Sequence, residues 1–182
     1  MKKFAIGCVL LVFLTGAASA SMFMVEVKGG YFNPQGEVLR SDYGTVFTLG
    51  GEVTFGILPG LKLWGAGNYY TAKGRPPYAL DSRITFTPLG GGLKYLFPMG
   101  RIRLYGGAGV NYLNYKLKSP GGDESATGVG YVFKVGVLIK IKALAFIDLF
   151  LENSYGKVNP PSGKINLGGI TAGIGIGLQS LI

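Results

Sequence analysis

Residues 168–182, GGITAGIGIGLQSLI, alternate between two chemistries with a period of two. Ile170, Ala172, Ile174, Ile176, Leu178 and Ile182 share one parity, interrupted only by Ser180. Gly169, Thr171, Gly173, Gly175, Gly177 and Gln179 share the other. Successive side chains of a strand point to opposite faces, so the stretch reads as a strand with one greasy face and one small, polar face. It is the last stretch of the sequence. Such a strand either closes onto an earlier one or leaves an open edge. The expectation is that it pairs with the first strand and closes a membrane barrel.

The same parity recurs along the chain. Eight strand-like segments are expected and no convincing helix: 23–32, 45–57, 61–71, 83–97, 101–116, 129–141, 145–155 and the closing stretch. The sixth is the clearest, with Val129, Tyr131, Phe133, Val135, Val137, Ile139 and Ile141 against Lys134, Gly136 and Lys140. In the third, Trp64 falls on the polar face. The fourth is regular only at its end, and Pro88 with Gly90–Gly92 is read as a bulge or bend. The links 58–60, 98–100 and 142–144 are tight turns; 33–44, 72–82, 117–128 and 156–163 are longer and polar. Short turns at one end, long loops at the other and an even strand count suit an outer-membrane barrel with periplasmic termini and extracellular loops.

Alternation alone does not say which face meets lipid, and a soluble periplasmic lipid-binding barrel would invert it. Charged residues are only 15% of the chain, against about 25% in soluble domains. Glycine supplies 32 of 182 residues, well above the usual ~7%. The polar faces are too small and too weakly charged for a water-facing surface. Tyr31, Tyr69, Tyr70, Tyr112, Tyr115 and Tyr155 gather near the loop ends, as an interfacial aromatic girdle would.

Residues 1–20, MKKFAIGCVLLVFLTGAASA, carry a charged start, a short apolar run and a small-residue cleavage site, the pattern of a secretory signal peptide. The apolar run is too short for a spanning helix, which needs roughly 20 residues. Residues 21–182 are then one exported barrel domain in the outer membrane of a Gram-negative-type cell. The formal net charge is +9, and +7 without Lys2 and Lys3. The only cysteine is Cys8 and there is no histidine, so cysteine chemistry in the exported chain, histidine metal sites and histidine-based catalysis are excluded. No cofactor is expected. The glycine repeats at 106–109 and 173–177 lack a following helix and a GK[ST], so they are poor phosphate loops.

In strand layout, and in phrases such as Val27-Lys28-Gly29-Gly30-Tyr31-Phe32 and Pro88-Leu89-Gly90-Gly91-Gly92-Leu93-Lys94-Tyr95, the chain resembles the small outer-membrane barrels of the protein A, X and W type. The resemblance covers essentially all of residues 21–182. It implies an eight-stranded antiparallel transmembrane barrel inserted by the barrel assembly machinery. Such barrels usually end in an aromatic residue that this machinery reads; this sequence ends Leu181-Ile182. The lipid-modifying enzymes and the omptin-type protease of such barrels rely on a histidine, so those activities do not carry over.

Eight strands leave a lumen just wide enough for side chains to fill. By parity Glu26, Lys28, Glu52, Lys62, Lys94, Arg103, Lys134, Asp148 and Glu152 point into it. Buried charges must be paired, so a structural salt-bridge plug is the first expectation and a narrow polar passage the second. Arg103 and Lys134 are expected near Asp148 and Glu152. Around the loops, Lys73, Arg75, Lys116, Lys118, Lys157 and Lys164 could form a rim facing lipopolysaccharide phosphates. Nothing points to nucleic acid. The leading role is structural or surface interaction; the alternative is a narrow channel for small or apolar molecules, as in the W-type barrels.

Overall fold

The computed structural model describes residues 22–74, 82–141 and 144–181. The expected signal over 1–20, Arg75, two residues of the expected turn at 142–144 and Ile182 lie outside these. Strand β1 spans Met22–Pro34, β2 Val46–Gly56, β3 Leu61–Lys73, β4 Arg83–Met99, β5 Ile102–Lys118, β6 Glu124–Lys140 and β7 Ala145–Val158. A two-residue strand β8, Ile165–Asn166, precedes β9, Gly169–Leu181. A short helix α1, Glu37–Asp42, lies between β1 and β2.

Eight strands form the wall, each antiparallel to its neighbours, and β6 pairs with β7 to complete the ring. The closing ladder joins β1 to β9 from Met22↔Leu181 to Pro34↔Gly169. Every wall strand thus has two partners, which is the condition for a sheet to stand in lipid without unpaired backbone groups. Both ends of the barrel chain lie at the end with the tight turns. One of these turns is closed by Ile57 N–H donating to Leu61 O (3.0 Å) and carries Gly60 at φ 79°.

The greasy parity faces outward. Val27, Ile176 and Leu178 are 62%, 67% and 64% exposed, whereas Glu26, Lys28 and Gln179 beside them are buried. Trp64 faces inward, as its parity required.

Three features differ from the sequence reading. Strand β4 has no bulge that shifts its register, although its ladder with β3 is interrupted at Pro88, between Gly67↔Leu89 and Tyr70↔Phe86. Its ladder with β5 runs in one register from Arg83↔Lys118 to Met99↔Ile102. Its two halves share one phase, but Ile84 and Phe86 turn apolar side chains inward while Arg83 and Thr85 face out. The girdle is smaller than expected: Tyr31, Tyr69, Tyr112 and Tyr155 are exposed, but Tyr70 and Tyr115 are buried in the lumen. Parity requires this, since Tyr70 adjoins the outward Tyr69 and Tyr115 lies three residues from Tyr112. Finally, the first long loop contains α1, which turns Leu39 and Tyr43 over the barrel mouth and ends at Gly44, φ 66°.

These residues build an apolar cap at the loop end. Tyr70 stacks on Phe86 (4.1 Å, 5°), and the Phe32 ring meets both edge-on at 5.0 and 5.3 Å. Tyr43 and Ser82 share a hydroxyl–hydroxyl hydrogen bond of 3.0 Å. At the turn end Met24, Leu96, Leu138 and Phe146 form a second apolar layer. The charges lie between the two.

The β1–β9 seam closes over Gly173, paired with Gly30 on one side and Phe150 on the other. A Cβ there would collide with Gly29 O and the Phe150 ring, whereas one at Gly106 meets nothing within 4 Å. Gly173→Ala is therefore expected to destabilise the barrel by about 1–3 kcal/mol. Gly106→Ala is expected to be near neutral. Urea unfolding in detergent micelles, read by heat-modifiable gel mobility, measures both.

Candidate functional site: the charged layer of the lumen

Two rows of the wall set the site. Lys28 on β1 lies level with Gly175 on β9, which lies level with Asp148 on β7. Lys94 on β4 lies level with Gly107 on β5, which lies level with Lys134 on β6. A Cβ on Gly107 would press on Lys94 Cβ at 2.8 Å and Lys134 Cγ at 3.2 Å. A Cβ on Gly175 would meet Glu26 Oε2 at 3.0 Å and Asp148 Cβ at 3.3 Å. Each glycine makes room for the charged side chains flanking it. Glu26 is directly opposite Glu52, and Lys134 directly opposite Glu152.

Glu52 is the hub. Its carboxylate accepts from Lys94 Nζ at 2.5 Å, Lys134 Nζ at 2.6 Å and Lys28 Nζ at 3.3 Å, and its side chain is fully buried. Lys28 also donates to Glu152 Oε1 at 2.9 Å and lies 3.6 Å from Asp148 Oδ2 and 3.9 Å from Glu26 Oε1. Lys134 stands 3.3 Å from Glu152 Oε1. The Tyr105 hydroxyl donates to Asp148 Oδ2 at 2.9 Å. The three ammonium groups also lie over aromatic faces: Lys134 over Trp64 at 3.5 Å, Lys28 over Phe150 at 4.2 Å and Lys94 over Tyr105 at 5.1 Å. Stripping an ion of water costs several kcal/mol, and only multiple contacts of this kind offset it.

The two other inward cations lie nearer the turn end. Lys62 is opposite Lys94 and buried. Arg103 donates to Gln179 Oε1 at 3.2 Å. Above the charged layer is a small cavity of about 20 Å³ lined by Trp64, Asn68, Asn111, Lys134 and Thr171, among others. That volume holds a water molecule, not a solute. The rim residues Lys73, Lys116, Lys118, Lys157 and Lys164 are exposed at the loop end.

The sequence reading did not single out Tyr105 or the ring contacts of Trp64 as parts of this site. Parity put both side chains inward; that each would meet a charged group there depends on the lumen's cross-section, which local pattern does not encode.

A closed wall, apolar outside and charged within, defines a small membrane β-barrel. The chain belongs to the outer membrane protein beta-barrel domain family, which matches residues 4–177. No curated protein matches the sequence. Among solved structures it is similar to outer membrane protein OprG from Pseudomonas aeruginosa, with a TM-score of 0.68 at 16% identity over 90% of this chain and 98% of that one. Neisserial surface protein A gives 0.65 at 15%, over 88% and 97%. Outer membrane protein W of E. coli gives 0.55 at 16%, over 89% and 98%. At these identities the likeness is one of fold. The family places the chain in the outer membrane, with the tight turns on the periplasmic side in the manner of such barrels.

Removing the hub leaves three buried ammonium groups short of a carboxylate. Glu52→Leu is expected to lower stability by about 3–5 kcal/mol. Adding Lys94→Met, which removes an ammonium whose carboxylate partner is Glu52, is expected to recover part of the loss. A double-mutant cycle of urea midpoints in micelles checks the coupling.

Proposed function

We propose that this protein is a sealed outer-membrane barrel. Its lumen is a structural plug, and its interactions are made at the outer rim. The supporting observation is the layering of the interior. An aromatic cap, a charged layer knotted on Glu52 and an apolar turn-end layer follow one another, and the cavity above the charges has room only for water. A solute would have to part Tyr70 from Phe86 and then break ion pairs to Glu52. A soluble lipid carrier would need the greasy face inside, whereas here it faces out.

In this reading residues 1–20 are removed on export, and residues 21–182 are one barrel domain delivered to the barrel assembly machinery. No catalytic role is assigned. Glu52 and Glu152 accept hydrogen bonds from lysines, Asp148 accepts one from Tyr105, and the chain has no histidine to act as a base.

Planar-bilayer recording of the purified, heat-modifiable protein tests the reading. Wild type is expected to give no discrete conductance steps in KCl. Steady single-channel steps that disappear on heat denaturation would replace the plug with a narrow channel.

A further inference from the structure

The outward basic residues are not spread evenly around the rim. Four of them stand on three adjacent strands at the extracellular end. Lys73 on β3 is directly opposite Arg83 on β4, and Arg83 is directly opposite Lys118 on β5. Lys116 follows one step down, opposite Thr85. All four side chains are exposed on the outward face. Directly opposed side chains on a strand pair have Cβ atoms about 4.5–5.5 Å apart, and like charges there repel. Strands β3, β4 and β5 contain no Asp or Glu. Among the described residues none of the four makes an ion pair. The wall of β9, β1 and β2 offers no outward Lys or Arg at all: their only charges, Glu26, Lys28 and Glu52, face the lumen.

Four to six residues further down the same outward face, past Thr71, Thr85, Thr87 and Asn114, are Tyr69, Leu89 and Tyr112, each more than half exposed. Positive charge therefore stands on the loop side of an apolar wall, separated from it by a short band of Thr and Asn side chains. A soluble polyanion would use the charge and leave the wall below unused. An amphiphile with a phosphorylated headgroup uses both.

We propose that the β3–β5 sector is a seat for one phosphorylated lipid of the outer leaflet. Its phosphates lie among Lys73, Arg83, Lys116 and Lys118, and its acyl chains lie along Tyr69, Leu89 and Tyr112. Arg83, flanked by a lysine on each side, is the centre of the seat. Its guanidinium presents a planar fork suited to two phosphate oxygens. Lys157, on β7, stands outside the sector. The assignment rests on the barrel standing in the outer membrane and is independent of whether the lumen conducts.

Native mass spectrometry of the detergent-solubilised protein, titrated with bisphosphorylated lipid A, tests it. Folding of every variant is checked by heat-modifiable mobility. Arg83→Glu with Lys118→Glu is expected to weaken lipid A retention by about tenfold or more, as losing charge-assisted phosphate contacts should. Lys157→Glu is expected to leave it unchanged, and dephosphorylated lipid A is expected to bind weakly to wild type. Equal losses in the double variant and in Lys157→Glu would overturn the seat, as would equal retention of the dephosphorylated lipid. Heparin binding that depends on Arg83 and Lys118, with no matching lipid dependence, would reassign the sector to a soluble polyanion and also overturn it.

Discussion

Everything in this barrel depends on the ladder between β1 and β9. In hydrocarbon an unpaired N–H or C=O has no water to turn to, so a sheet survives there only if it has no edge. The ladder from Met22↔Leu181 to Pro34↔Gly169 removes that edge. Small residues make the approach feasible. Gly30 and Gly173 face one another at mid-seam, and the Phe150 ring lies over Gly173. Closure, in turn, confines the inward side chains to a space without bulk water. The chemistry of the lumen follows from the backbone pairing of the wall.

That confinement inverts the ordinary division between core and surface. Most large aliphatic side chains of the wall face lipid, and the interior is filled by apolar layers of mixed aromatic and aliphatic residues at the two ends with charges between them. A buried ion pair is seldom a net gain over apolar packing, because both ions lose their hydration. The lumen reduces that cost by sharing. Glu52 serves three ammonium groups, Lys28 has four carboxylates within 4 Å, and each lysine also has an aromatic face beneath it. Such a knot is tied by many strands at once. It therefore fixes their relative positions more firmly than any single pair could.

Much of the wall was legible in the sequence because strand parity is a local property. The outward set of β6, the tight turns and the pairing of the last strand with the first all follow from a period of two and the need to close. Where parity and hydrophobicity disagreed, the reading failed. Ile84 and Phe86 looked like a change of phase in β4, but they are apolar residues on the inward face, recruited to the cap. Tyr70 and Tyr115 looked like girdle residues for the same reason, since composition alone cannot separate an interfacial tyrosine from one that plugs a mouth. The helix over Leu39 and Tyr43 was hidden in a polar loop because six residues give too little periodicity to read. In the lumen, register gives the neighbours along the wall but not the contacts across it. That Glu52 would meet Lys94 and Lys134 depends on side-chain reach across a closed ring, which no window of sequence contains.

The arrangement of charge also explains where the chain's positive excess resides. Inside, acids come from β1, β2 and β7, while β3, β4 and β5 supply only cations: Lys62, Lys94 and Arg103. The lumen joins the two groups, so Lys94 finds its counter-charge on Glu52, two strands away. The outward cations of the same three strands have no such recourse, because the wall stands between them and the acids. Among the described residues Lys73, Arg83, Lys116 and Lys118 make no ion pair, and they stand together on one sector of the loop end. An excess of this kind could have been dispersed by a single outward acid on any of these strands, and none is present. The barrel is consequently not electrically round. Along its wall it has a basic side, β3–β5, and a side, β9, β1 and β2, without outward charge.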